Sequence, residues 1–237
     1  MFVIFLALIG SFIVFALITA WMGWITAVFP AVVTLGVVYF VIARQIHKRI
    51  EKQASRIQQL LQQRQLQEAI QLLKQLQDRY GNWQVFLRSS LHGEIGMLYY
   101  VQRDFSRAQS HLQQAFIRHF MSKIMLAVLH YRAKEYDKMH AVFKRAAWYN
   151  PKQGLLWSTW AYCLWKQGQT QQAVDVLLQA KNKLGSADPH LATNLLQLQN
   201  GKKMKMRGYG NAWYQLHLES PQAMQQPMHR ARRMRHI

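Results

Sequence analysis

The chain has 237 residues, 51% of them hydrophobic, with 30 lysines and arginines against 10 acidic residues, a formal net charge of +20 and a single cysteine. That hydrophobic share is enough for a packed core and excludes a chain that stays unfolded throughout, while one cysteine excludes a disulfide framework. So few acids leave little material for general-base chemistry, and the excess of cations points to anionic partners.

The apolar residues are concentrated at the start. Residues 1–43 contain no Asp, Glu, Lys or Arg. As one helix they would run about 60 Å, roughly two hydrocarbon thicknesses. Two crossings fit better. The break is legible in "TAWMGWITAVFPA", which holds Gly23 and Pro30 together with Trp21 and Trp24, a residue type enriched at membrane–water interfaces. Residues 1–43 are therefore expected to form a transmembrane hairpin, with spans near residues 2–20 and 27–43. A cleaved signal peptide fits poorly, because the tract is too long, lacks a basic start and ends without an A-x-A site.

Immediately after comes "RQIHKRIEKQ", in which Arg44, Lys48, Arg49 and Lys52 face the single acid Glu51. These four are candidate lipid-facing cations. The positive-inside rule places residue 44 onward in the cytoplasm and returns the N-terminus there too, so the expected location is a bacterial inner membrane crossed twice. The lone Cys163 agrees with a reducing compartment. No Gly or Pro occurs from Val37 to Tyr80, and the second span is expected to continue as a juxtamembrane helix over residues 44–62 before a new helix opens near Glu68.

Internal repeats decide the rest. "QTQQAVDVLLQA", "EYDKMHAVFKRA", "DFSRAQSHLQQA" and "QLQEAIQLLKQL" align without gaps. Their small-residue position falls at Ala69, Ala108, Met139 and Ala173, and their later contact positions at Leu73/Leu76, Leu112/Ala115, Phe143/Ala146 and Leu177/Ala180. Upstream of them, Gly96, Ala127 and Ala161 sit where two helices of a pair would approach most closely. The stretch "PHLATNLLQLQNG" reads as a final capping helix.

On these residues the chain resembles the tetratricopeptide repeat family. The pattern W-x2-L-G-x2-Y…A-x3-F…P is matched in pieces by Trp157, Ala161, Leu164, Ala173 and Leu177, by Gly96, Tyr99, Ala108 and Leu112, and by Ala127, Phe143, Ala146 and Pro151. The resemblance covers about residues 50–200 and implies an all-α fold, a two-helix membrane hairpin followed by an α-solenoid of helix pairs. Trp157 and Trp160 then fall on the packing stripe. The family also implies a second face on each first helix, lining a concave groove. Its residues here are Met97/Tyr100/Val101, Val128/Tyr131/Arg132 and Tyr162/Trp165/Lys166, three i, i+3, i+4 sets. Met97, Tyr100, Tyr131, Arg132, Tyr162, Trp165 and Lys166 are the candidate partner groove, suited to a peptide with apolar anchors and acidic character. The alternative is that these rings pack against a neighbouring helix pair or a folded-back tail. The Lys/Asn clamp for chaperone C-termini is not matched.

Residues 201–237 carry a net +7 and mix Gly, Pro, Met and Arg without helical period. They read as a basic, partly disordered tail, with a short ordered piece over Ala212–Leu218. Anionic lipid or an acidic protein is the expected contact of this tail, and nucleic acid ranks below both.

Catalytic signatures are missing: no phosphate loop, no H-E-x-x-H, no G-x-S-x-G and no paired cysteines. The H-x-E of His92–Glu94 lacks the cysteines a zinc deaminase needs. No enzyme, cofactor or metal is expected. The expected function is a membrane-anchored scaffold presenting a protein- or peptide-binding groove to the cytoplasm; the alternative is a membrane-tethered basic module for nucleic acid or anionic lipid.

Overall fold

Helices make up all the regular structure among the described residues, with no strand. The computed structural model of the protein describes residues 2–185 and 187–219, and the backbone alone for Met22, Ile46 and Lys52. The chain divides into two compact units, Met1–Phe116 and Ile117–Ile237.

In the first unit, α1 (Phe2–Met22) and α2 (Trp24–Gln62) are both long and apolar enough to cross a membrane. Between them stands Gly23 alone, at φ +88°, a conformation an L side chain rarely adopts, so glycine permits reversal in one residue. The tight turn expected between the spans is thus a single residue, α2 opens at Trp24 and not near residue 27, and Pro30 lies inside α2. Val3, Ala7, Ala27 and Ala31 are buried between the two helices, and the Ser11 hydroxyl donates to the Ala31 carbonyl at 2.7 Å. Small residues let the backbones approach, and that hydroxyl is satisfied without water. α2 then continues past its apolar part without interruption. α3 (Leu66–Tyr80), α4 (Leu87–Val101) and α5 (Phe105–Gln114) complete the unit.

The second unit contains α6 (Phe120–Arg132), α7 (Tyr136–Tyr149), α8 (Gly154–Lys166), α9 (Thr170–Leu184) and α10 (Pro189–Gln199), then a 3-10 turn (Met206–Tyr209) and the short α11 (Gly210–Tyr214). Asp188 caps α10 by accepting from the amides of His190 and Leu191, with Pro189 at the first position where its missing N–H costs nothing.

One turn recurs four times. Arg64, Arg103, Lys134 and Gly168 have φ of 60°, 63°, 60° and 82°. Each is followed by the residue that opens the next helix: Gln65, Asp104, Glu135 or Gln169. The amides of those four donate to the carbonyls of Leu60, Tyr99, His130 and Leu164 at 2.8–3.0 Å, closing each preceding helix in the Schellman manner. The helices so opened, α3, α5, α7 and α9, begin with the four aligned segments. Ala69, Ala108, Met139 and Ala173 are each 0% exposed, and the later contact positions are buried as well. A buried side chain at one phase of each of these helices, alanine in three and Met139 in α7, therefore coincides with one backbone turn repeated at the same phase.

Candidate functional site

α8 carries the aromatic cluster of the second unit and buries its rings in two directions. Along one side, Trp157 is buried and its indole N–H donates to the Pro151 carbonyl at 2.9 Å, so the closing proline of the α7–α8 connection supplies the acceptor. Trp160 lies nearly parallel to Trp157 at 6.0 Å and to Phe143 of α7 at 6.0 Å, and donates to Nδ1 of His140 at 3.1 Å. These rings pack, as their helical spacing predicts. They also do something the spacing does not reveal: Trp157 and Trp160 form a wall of an open cavity of about 600 Å³ among α7, α8 and α9. Trp148 stands at its mouth, 75% exposed, and Lys144, Lys183 and Asp175 supply its charges. A tryptophan that exposed, beside stacked rings and two ammonium groups, is the composition of an interaction hot spot. The motif "WYNP" holds Trp148 in plain sight, but only the fold shows that the ring is left out of the core.

The other side of α8 bears Tyr162, Trp165 and Lys166. The structure brings these together with Tyr131 and Arg132 of α6, and places a further element on top of them: the chain's own residues 202–219. Trp213 is 0% exposed, with its ring 4.8 Å from Tyr162 and steeply tilted. The Glu219 carboxylate accepts from the Trp213 indole at 3.0 Å and from the Tyr162 hydroxyl at 3.1 Å. Arg132 donates to the His217 carbonyl at 3.4 Å. Below, the Tyr209 hydroxyl donates to Asp188 at 3.0 Å and accepts from Ser158 at 2.8 Å. Burial, and then the neighbouring carboxylate, pushes the hydroxyls of Tyr162 and Tyr209 well above the ordinary tyrosine range, so both remain donors. Met204, Met206, Trp213 and Leu216 are the buried anchors of this segment.

Two expectations change here. Tyr162, expected to line an open groove, is 2% exposed because Trp213 covers it. In the tail expected to be partly disordered, the regular structure extends beyond the expected piece at 212–218 to a 3-10 turn from Met206, and residues 220–237 lie outside the described residues. What remains open on this face is its rim. Tyr131 and Trp165 are half-buried, Arg132 and Lys166 are exposed, and the Lys166 ammonium lies 4.8 Å from the Trp165 ring and 5.4 Å from that of Tyr162.

The remaining candidates lie in the first unit. Met97 is half-buried, and Tyr100 is 0% exposed with its ring 5.4 Å from Phe105, so Tyr100 packs inside the α4–α5 pair rather than lining a groove. Arg44, Lys48 and Arg49 are exposed on α2, and the Lys52 side chain lies outside the described residues. His92 and His111 bring their Nδ1 atoms to 3.0 Å, and burial chiefly, with Arg88 beside His92, and His92 and Lys74 beside His111, holds both rings below the usual imidazole range. Among the described residues no three His, Cys, Asp or Glu side chains gather as metal ligands would. Cys163 is 0% exposed, and burial pushes its thiol far up, away from nucleophilic reactivity. No protein-family model, curated protein or solved structure matches this chain.

Proposed function

We propose that the protein is a membrane-anchored scaffold: α1 and α2 cross the bilayer, and the helix pairs form a tetratricopeptide-like array that holds a protein partner in the cytoplasm of a bacterium. The fourfold turn at Arg64, Arg103, Lys134 and Gly168 supports the repeat reading, since identical turns are what stacked helix pairs of one kind require. The cation cluster at Arg44, Lys48 and Arg49 supports the orientation.

The observation that carries the binding role is the aromatic cavity at Trp148. A ring 75% exposed above Trp157 and Trp160, with Lys144 and Lys183 beside it, suits a partner segment with an apolar anchor and acidic flanks. The rim formed by Tyr131, Arg132, Trp165 and Lys166 offers the same chemistry on the other side of α8. There the chain's own Trp213 packs on Tyr162 and Glu219 accepts from the Tyr162 hydroxyl, which supports an aromatic and acidic ligand for this type of surface.

The test is co-purification from membranes, with nuclease present, of wild type against Trp148→Ala, Trp165→Ala and Lys166→Glu. Loss of one anchor ring is expected to weaken capture by about 2 kcal/mol or more at the face that binds, with a much smaller change in stability. Trp160→Ala, at a ring that both packs on Phe143 and walls the cavity, is read for stability alone and is expected to cost about 2–4 kcal/mol because the ring is only partly covered. Capture unchanged in all three binding variants would reject the scaffold reading. Capture abolished by nuclease would favour the basic-module alternative.

A further inference from the structure

The connection between α3 and α4, residues 81–86, is bonded to the ends of both apolar helices. The amides of Phe2 and Val3, which open α1 and have no partner within it, donate to the carbonyls of Asn82 and Trp83 at 3.2 and 3.3 Å. The Gln84 side chain donates to the carbonyl of Ala43, the last residue before the cations of α2, at 3.4 Å. The Phe2 and Trp83 rings lie 6.0 Å apart. Because α1 and α2 are antiparallel, residue 2 and residue 43 mark the same end of the hairpin. A loop joined to both sits at the level where the hydrocarbon-length stretch stops.

Towards α4 this loop exposes apolar side chains, while Asn82 is the exposed polar residue near its start. Phe86 is 59% exposed and Val85 37%, next to Phe2 at 54%. Phe86 also has φ 66°, in the left-handed region, as the residue that opens α4. A bulky residue there is uncommon and persists only when its surroundings fix it. Its ring is braced at 4.7 Å by Phe116. Arg88, exposed and bonded to the Asn82 side chain at 3.4 Å, is the second residue of α4. An aromatic and a β-branched residue at the edge of the hydrocarbon, with a guanidinium just outside it, match the layered chemistry of a phospholipid interface.

We infer that residues 81–86 are a third membrane contact, a wedge in which Phe86 and Val85 enter the interfacial layer while Arg88 meets lipid phosphate. The contact rests on the reading of α1 and α2 as spans and goes beyond it: the α3–α4 pair is held against the bilayer surface and is not merely tethered to it. The feature is local, since the far end of α4 lies about 22 Å away at 1.5 Å rise per residue.

The test uses the full chain in phosphatidylcholine–phosphatidylglycerol bilayers, with Cys163→Ala as background and one fluorophore-labelled cysteine at a time. Phe86→Cys and Val85→Cys report the wedge, Ile9→Cys reports the middle of α1, and Ser106→Cys at the start of α5 reports water. Lipids carrying a nitroxide near the headgroup or near the chain end quench by depth. The inference expects positions 85 and 86 to be quenched mainly by the shallow nitroxide and several times more strongly than 106, with position 9 quenched by the deep one. Position 9 quenched while 85 and 86 behave like 106 would overturn the wedge and leave the spans standing. An unquenched position 9 would overturn the spans and the wedge together. Two wedge positions keep the result readable if one substitution disturbs the turn.

Discussion

Trp213→Ala removes the central anchor of the segment that covers α8. The wild-type ring is 0% exposed, meets Tyr162 at 4.8 Å and donates to Glu219 at 3.0 Å. Truncating a fully buried tryptophan costs about 3–5 kcal/mol, part of it from the lost hydrogen bond to a charged acceptor. The segment can also respond by undocking, which limits the loss to its own docking free energy. Both routes free the backbone around Lys205 and Arg207. The assays are urea unfolding of the detergent-solubilised protein, followed by far-ultraviolet circular dichroism, and limited trypsin digestion. The expected result is a stability loss of about 2–5 kcal/mol, with rapid cleavage after Lys205 and Arg207. Wild-type resistance at those two bonds, together with a loss below about 1 kcal/mol, would refute the docking described here.

Gly96→Ala is expected to destabilise by about 1–3 kcal/mol in the same unfolding assay, because its Cβ would lie 2.9 Å from the Leu112 side chain and 3.0 Å from the Leu112 backbone nitrogen. Lys134→Gly is expected to stabilise by about 0.5–1 kcal/mol, since the left-handed conformation that costs lysine costs glycine little. Lys123 is buried, and burial, then Arg145, lowers its ammonium from the ordinary 10.5 to about 8. The proton is therefore bound more tightly in the unfolded chain, and stability rises with pH between those two values. Lys123→Met should stabilise by about 1–2 kcal/mol near neutral pH after allowance for solvent screening. That advantage should fade as pH climbs from about 8 towards 10.5, as thermal melts across the range will show.

The second helices of the pairs were legible because two local signals agree in them. A small residue, replaced by Met139 in α7, sits at a fixed phase from a polar start, and helical apolar spacing follows. The turns before them were hidden: only Gly168 advertises a left-handed residue, while Arg64, Arg103 and Lys134 adopt it through helix closure and not through propensity. The C-terminal segment was legible only in part, as an ordered piece over Ala212–Leu218 and as a folded-back tail kept as the alternative. Met204, in irregular backbone, and Met206, at the start of the 3-10 turn, anchor it at a spacing of two, which reads as noise when a helical period is sought, whereas Trp213 and Leu216 fall within the piece expected to be ordered. Tyr162 was assigned to the surface because the element that covers it arrives from 51 residues later in the chain. The reverse holds for Trp148, whose exposure depends on which side of α7 meets α8. Burial of single rings is a tertiary property, and periodicity alone cannot assign it.

The central claim, that the second unit holds a protein partner through the rings around α8, is tested most directly by photo-crosslinking in intact membranes. A benzoylphenylalanine would replace Trp148 or Trp165 in turn, with Leu178, exposed on α9, as the reference position. The account predicts a discrete adduct with another protein from Trp148, Trp165 or both. It should be absent from Leu178 and be reduced by Lys144→Glu or Lys166→Glu at the corresponding face. Adducts confined to the chain's own peptides, or a pattern at both rings indistinguishable from that at Leu178, would contradict it.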